Sequence, residues 1–334
     1  MSDMTQLGTT LFSLTPLWRG GADAVELLEQ VAAAGCGPAV ELVGHQAWRG
    51  FPAVAPEDER AFRDAVERLQ LVPVALGVYT DLFRRPGRPM TVEQAFDDIA
   101  PQLAAAARLG FPVVRATLGM PPELLGRVAA EAERLGVVLT FEVQGATTPG
   151  TPAVLELVEL QRRTGTPFLG LTIDSSLSTP ALPAALGTAL RRLGLAAPGV
   201  TAVHEAWLRG GPIGPRIGAA LAVVAGHPRE AELAPLVAGV LGRCGRTEPE
   251  EWGELLPLVR HAHAKFWDVD VEAVRRPHGA WLRALSAAGY EGAVLSEWGG
   301  HELLERDEAD ALAVSAAHVA LLSELAGART AVTA

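Results

Sequence analysis

The chain has 334 residues, of which 49% are hydrophobic and 20% charged, with a formal net charge of −11. That size admits one large α/β domain or two ordinary ones, with enough apolar residues for a sizeable core. The acidic balance argues against nucleic acid as the main partner. Cys36 and Cys244 make no metal-spaced pair, which implies a reducing compartment rather than a disulfide framework.

The first six residues show no basic stretch leading into an apolar run, and Pro, Gly or charge breaks every apolar segment short of a membrane span. A cytoplasmic enzyme with no membrane partner is expected. Residues 9–14 read as a short buried strand. The spacing of Ala24, Leu27, Leu28 and Val31 predicts a helix over 24–34, closed by Gly35. A second strand follows at 39–44. Pro56 then opens a helix to Leu69 with acids in its first turn, as the helix dipole favours. Residues 72–79 form the third strand. Thr91 and Gln94 are spaced as a capping box that opens a helix to Leu109. The fourth strand, 113–117, precedes a helix begun by Pro121-Pro122. The fifth, 137–143, precedes a helix over 151–163, and the sixth is 169–175. Runs at 260–266 and 292–298 complete eight strands, with a helix at 279–288 between them. A helix over 307–325 and a frayed tail, 327–334, close the chain.

Strands alternating with helices mean βαβ units and a parallel sheet. Eight such units predict an α/β fold of the (β/α)8 TIM-barrel type, a single domain over 1–334. The competing doubly wound sheet would carry a G-x-G-x-x-G loop after its first strand, and none is present. Residues 176–259, between strands six and seven, form a long helical insertion expected to lie over the C-terminal, active face. It reads as a lid, as a surface for a partner chain, or as an ornament that only enlarges the core.

The ends of strands five to eight carry the chemistry. Three apolar runs stop at a carboxylate (Glu142, Asp174 and Glu297), and strand seven carries His263. In a parallel barrel these ends share one rim. Three carboxylates so close raise one another's pKa unless a cation joins them. One nitrogen and several oxygens suit a divalent metal, Mn²⁺ first or Mg²⁺, with Co²⁺, Fe²⁺ and Zn²⁺ also admitted.

Lys265 is the only lysine in the chain. It shares a strand face with His263, where it could polarise a carbonyl, take a proton, or simply pair with Asp268 or a neighbouring carboxylate. Arg115 could bind an oxyanion or pair with Glu142. His45 and Gln46 follow strand two on the same rim. His261 lies deeper and reads as a hydrogen-bonded core histidine. Trp48, Trp267 and Trp298 near the strand ends could stack on sugar rings or fill the core. Of the remaining histidines, His278 and His301 are placed nearer the rim than His204 and His227.

With Glu142, Asp174, His263 and Glu297 on eight such units, the chain resembles the xylose-isomerase-like TIM barrels, the sugar phosphate isomerase/epimerase group. Within it, Ser13-Leu14, Val43-Gly44-His45-Gln46, the run from Gly77 to Asp81 and the run from His263 to Trp267 resemble the α subunits of C-glycoside deglycosidases. The resemblance implies a sugar-like carbonyl or polyol substrate, a divalent metal on the four ligands, and proton abstraction next to a metal-bound carbonyl. It also implies a small β subunit or a homo-oligomer.

An isomerase or epimerase is the first reading, with Glu142 and Glu297 bridging metal and substrate and Lys265 and His45 assisting proton transfer. A deglycosidase-like lyase, acting by β-elimination from a 3-keto glycoside, is the alternative. Those deglycosidases carry a histidine two residues after the strand-five glutamate, where this chain has Gln144. A D-x-x-H after strand six is also absent. Gln144 can orient a hydroxyl but cannot take a proton, which leaves a non-catalytic scaffold as a further reading.

Overall fold

The computed structural model describes residues 6–84 and 87–332. Eight strands pair in chain order into a closed parallel barrel. They are β1 (Leu7–Thr10), β2 (Ala39–Val43), β3 (Val72–Gly77), β4 (Val113–Thr117), β5 (Val138–Val143), β6 (Leu169–Asp174), β7 (Val259–Phe266) and β8 (Val294–Trp298). Closure comes from β8 pairing with β1, with Leu7 opposite Val294 and Thr9 opposite Ser296. The strands read as nearly continuous apolar runs because one face packs into the barrel and the other against helices. Leu28, Phe62, Ile99, Val128, Leu157 and Trp281 bring the outer helices onto this common core.

Several boundaries shift from the sequence expectation for local reasons. β1 stops at Thr10, because the Thr10 hydroxyl accepts a hydrogen bond from Phe12 N at 3.1 Å and turns Leu11–Leu14 into a 3-10 segment. β6 stops at Asp174, whose carboxylate accepts from Ser176 N at 2.7 Å and opens a similar turn. The helix before β8 starts at Arg275. The closing helix spans Ala311–Val332, past Leu325, and residues 333–334 lie outside those described.

The connection from β6 to β7 holds four α-helices, Ala184–Arg192, Ala197–Leu208, Ile213–Val224 and Glu230–Gly242, and then the 3-10 segment Pro249–Leu258. These helices bury an apolar cluster of their own around Leu186, Leu190, Val203, Trp207, Leu233 and Val237. Trp267 and Leu303, which follow β7 and β8, join that cluster and dock it at the C-terminal end of the barrel. Asp268 caps the first of the helices, accepting from Ala184 N at 3.1 Å and Ala185 N at 2.8 Å. Arg192 and Arg243 tie the excursion to the residues after β8 through Glu308 and Glu302.

One joint of the excursion is backbone on backbone. A Cβ on Gly245 would stand 2.0 Å from the Gly145 carbonyl oxygen and 2.5 Å from that of Leu177. Gly245→Ala should therefore destabilise the protein by about 2–4 kcal/mol through local strain. Chemical unfolding measures this, and a loss below about 0.5 kcal/mol, the ordinary scatter of harmless substitutions, would show that the joint yields.

Candidate metal centre

The barrel register sets four ligand-type side chains side by side. Asp174 on β6 pairs with His263 on β7, and Lys265 on β7 pairs with Glu297 on β8. Glu142 on β5 lies opposite Thr172, two residues below Asp174. One potential ligand atom from each of Glu142, Asp174, His263 and Glu297 falls within 4.8 Å of the others, and all four residues are buried. Alternation along β7 sends His261, His263 and Lys265 inward.

The contacts show what the cluster lacks. His263 Nδ1 lies 2.8 Å from Glu142 Oε1 and 2.7 Å from Glu297 Oε2. A single N–H cannot point at both. Its hydrogen bond goes to Glu142, and Glu297 Oε2 is left buried without a donor. Asp174 Oδ2 is likewise buried with no partner. Unpaired buried acceptors are costly, and a cation among them satisfies all at once. The other ring nitrogen of His263 is already engaged, with Nε2 at 2.6 Å from Glu41 Oε2. A proton kept on Nε2 leaves the Nδ1 lone pair for a metal, the arrangement that orients many ligating histidines. The residues present thus fit a divalent cation held by Glu142, Asp174, His263 and Glu297.

Without that cation, protons and ion pairs balance the charge. Burial pushes Asp174 up to about 7, and the Glu297 charge adds to this. Burial would also raise Glu297, but Lys265 and then His263 hold it well below the usual carboxylate range. For His263, burial favours the neutral ring, yet Glu41 and Glu297 outweigh it and raise its pKa well above normal. Burial would lower Lys265, and Glu297, Asp174 and Glu142 reverse that. Lys265 is thus an ammonium, its Nζ donating to Glu297 Oε1 at 2.5 Å. Asp268, its other expected partner, is occupied as a helix cap.

Glu41 was not singled out from the sequence. Its Oε2 receives both His261 Nε2, at 2.7 Å, and His263 Nε2, and its Oε1 receives Arg115 Nε at 2.8 Å. Burial would raise its pKa, but Arg115 and His263 hold it well below normal. The signal was available: a carboxylate inside an otherwise apolar strand must find partners in the barrel. His261 is the core histidine expected. Arg115 spans two carboxylates, with Nη1 3.2 Å from Glu142 Oε2. Gly77 makes room for it, because a Cβ there would stand 2.5 Å from Arg115 Nη2.

The other rim residues distribute unevenly. Gln144 Nε2 lies 3.5 Å from Glu142 Oε2, at the outer limit of a hydrogen bond. His45 is exposed in the turn Gly44–Ala47, edge-on to Phe51, with no contact to the carboxylates among the described residues. Trp48 packs on Phe62 in the core. Trp267 lies nearer, its ring centroid 5.9 Å from Lys265 Nζ. His301 Nε2 donates to the Phe12 carbonyl oxygen at 2.9 Å.

His278 lies behind the rim in a buried chain. Ser175 Oγ meets His278 Nε2 at 2.9 Å, His278 Nδ1 meets His318 Nε2 at 2.8 Å, and His318 Nδ1 meets Ser296 Oγ at 2.8 Å.

Solved structures share this fold. The chain superposes on a D-psicose 3-epimerase with a TM-score of 0.54 and 14% identity, over 96% of this chain and 97% of that one. A xylose isomerase-like TIM barrel protein from Mycobacterium smegmatis, in complex with magnesium, matches with a TM-score of 0.52 and 14% identity over 97% of both chains. These likenesses show the fold, a closed parallel TIM barrel. No protein-family model matches the chain. The C-glycoside deglycosidase alpha subunit of Arthrobacter globiformis is 32% identical over 312 residues, 91% of this chain and 88% of its own. The 3'-dehydrocarminate deglycosidase alpha subunit of a Microbacterium species is 30% identical over 317 residues, 89% of each chain. The chain belongs to the family of C-glycoside deglycosidase alpha subunits. It is an enzyme, and the non-catalytic scaffold reading gives way. Among the described residues no helix is long and apolar enough to cross a membrane.

His263→Ala should abolish stoichiometric divalent-metal binding, and Glu41→Gln should weaken it by about 10–100-fold, the usual range for outer-shell partners. Calorimetric titration of Mn²⁺ into the EDTA-treated proteins checks both, and unchanged binding in His263→Ala would reject the centre.

The two outer histidines carry a pH signature. Burial lowers His278 to about 4 and His318 well below its ordinary value. An unfolded histidine titrates near 6.5. The unfolded chain therefore binds more protons below that pH, and the pair's contribution is full above about pH 6.5 and lost as pH falls toward 4. Between pH 7.5 and 5.0 the wild type should lose more unfolding free energy than His318→Asn, by on the order of 1–2 kcal/mol. Urea titrations at both pH values make the comparison, and equal losses would remove the pair from the account.

Proposed function

We propose that the chain is the metal-bearing subunit of a lyase that cleaves the sugar–aglycone bond of a 3-keto C-glycoside by β-elimination, together with a smaller partner subunit. The carrying observation is the four-ligand rim with orphaned carboxylate oxygens, found in a chain that aligns over 91% of its length with a deglycosidase alpha subunit. In this reaction a base takes the proton from the carbon beside the ketone. The electron pair forms the sugar C=C bond, the bond to the aglycone breaks, and the aglycone carbon takes up a proton.

A divalent ion on Glu142, Asp174, His263 and Glu297, Mn²⁺ or Mg²⁺ before the others, would polarise the ketone and acidify the adjacent C–H. The protein's own groups do the rest. Lys265, held as an ammonium by Glu297, stabilises negative charge and can donate a proton. Glu142 and Glu297 would bridge metal and substrate, and Arg115 fixes Glu142 in position. Gln144, beside Glu142, can orient a substrate hydroxyl. His45 is a rim imidazole open to solvent. The alpha-subunit relatives support a partner chain, and the excursion before β7 offers surface for it.

A second reading has its own observation. Gln144 stands where the deglycosidases carry a histidine, and a centre without that base favours an isomerase or epimerase, in which the proton returns to the sugar.

Incubating the Mn²⁺-loaded protein with a 3-keto C-glycoside in D₂O separates the two. Elimination releases the aglycone carrying deuterium, whereas epimerisation leaves the glycoside intact and labels the sugar. Gln144→His should raise aglycone release at least tenfold, as positioned general bases do. Neither release nor labelling, with or without a companion subunit, would reject both readings.

A further inference from the structure

The excursion carries a concentration of positive charge that the barrel chemistry does not use. Arg216, in the helix Ile213–Val224, is only 8% exposed. A guanidinium has five N–H donors to satisfy. Here Nη1 makes one long hydrogen bond, 3.5 Å to the Trp207 carbonyl, and Nε is buried with no partner. Arg246 approaches from the segment before β7 and donates from Nη1 to the Leu208 carbonyl at 2.9 Å. Both guanidiniums lie against one indole, their central carbons 5.8 Å and 5.2 Å from the centroid of Trp207. Among the described residues neither arginine has a carboxylate partner, although most other arginines that touch a charged group do.

Ordinary helix capping accounts for part of this. The helix Ala197–Leu208 ends at the carbonyls these arginines touch, and its dipole offers roughly half a negative charge. Two full positive charges gathered there exceed that, and the attraction of an indole ring for each is weak. Burial, and then the Arg246 charge, make Arg216 a less comfortable cation than usual. A buried charge left with unused donors and a like-charged neighbour calls for an anion from outside the chain.

We propose that Arg216 and Arg246 form a binding site for a small oxyanion of the phosphate or carboxylate class, bridged between their two guanidiniums. Arg216 is the buried floor and supplies the unpaired Nε–H. Arg246, exposed at the surface, is the entrance. Planar forks match such oxygens in bidentate fashion. The bound anion cancels the mutual repulsion and links the helix Ile213–Val224 to the segment around Gly245 and Thr247. The site lies in the excursion and does not rest on the barrel reaction proposed above.

The test uses the full chain, stripped of metal with EDTA so that phosphate has no ion to follow into the barrel. Inorganic phosphate is titrated by calorimetry and by thermal unfolding, with chloride at matched ionic strength as reference. The wild type should show saturable phosphate binding and a rise in Tm. Arg246→Gln, an exposed position that leaves the fold intact, should weaken binding at least tenfold and lose the saturable part of the rise. Arg216→Gln should do the same where it folds. General salting effects on stability are common to all three proteins and cancel in the comparison. Binding of equal strength in wild type and Arg246→Gln, or no phosphate binding distinct from chloride, would overturn the proposal.

Discussion

Charge balance among buried side chains inside the barrel governs this structure. Glu41, Glu142, Asp174 and Glu297 are all buried, and the cations facing them are Arg115, Lys265 and the His263 ring. Four carboxylates against three cations leave one negative charge over, and burial, with the Glu297 charge, raises Asp174 to about 7. A divalent ion held by Glu142, Asp174, His263 and Glu297 would supply the positive charge this cluster calls for. The same accounting explains why the single lysine lies here: a compact ammonium fits beside Glu297, where a planar guanidinium would need room for a second pair of donors.

Glu41 couples this balance to geometry. One carboxylate holds His261, His263 and Arg115, and Arg115 in turn holds Glu142. The ligand from β7 and the ligand from β5 are therefore oriented by the same residue on β2, across the barrel interior. A network of this kind is costly when partly satisfied and specific when complete. Here each oxygen of Glu41 has a donor, and in this network the buried oxygens left without a partner are those of Asp174 and Glu297.

The cluster of Glu142, Asp174, His263 and Glu297 was legible in the sequence because each closes, or lies within, an apolar strand, and a parallel barrel brings such ends together. The eight-strand order was legible for the same reason. Glu41 was harder to see, since it sits in the middle of Ala39–Val43, where no strand end announces it. His45 illustrates the opposite error of emphasis: proximity to a strand end put it on the rim, but the turn Gly44–Ala47 points it to solvent and Phe51. The early end of β1 depended on one hydroxyl-to-amide bond at Thr10, a competition that hydrophobic pattern does not register. Nor could composition show that the excursion owns a separate apolar cluster, because its helices are alanine-rich on several faces. Its attachment depends on backbone approach at Gly145 and Gly245.

The chain Ser175–His278–His318–Ser296 runs outside the barrel, yet its two ends are the immediate neighbours of Asp174 and Glu297. Two rings joined nose to tail act as a strut of fixed length between strands β6 and β8, spanning β7. The spacing of Asp174 and Glu297 is thereby tied to contacts on the far side of the wall. An engineer wishing to favour a larger or smaller ion could leave every ligand untouched and alter the strut, trading the preferred ionic radius for changes in two outer helices.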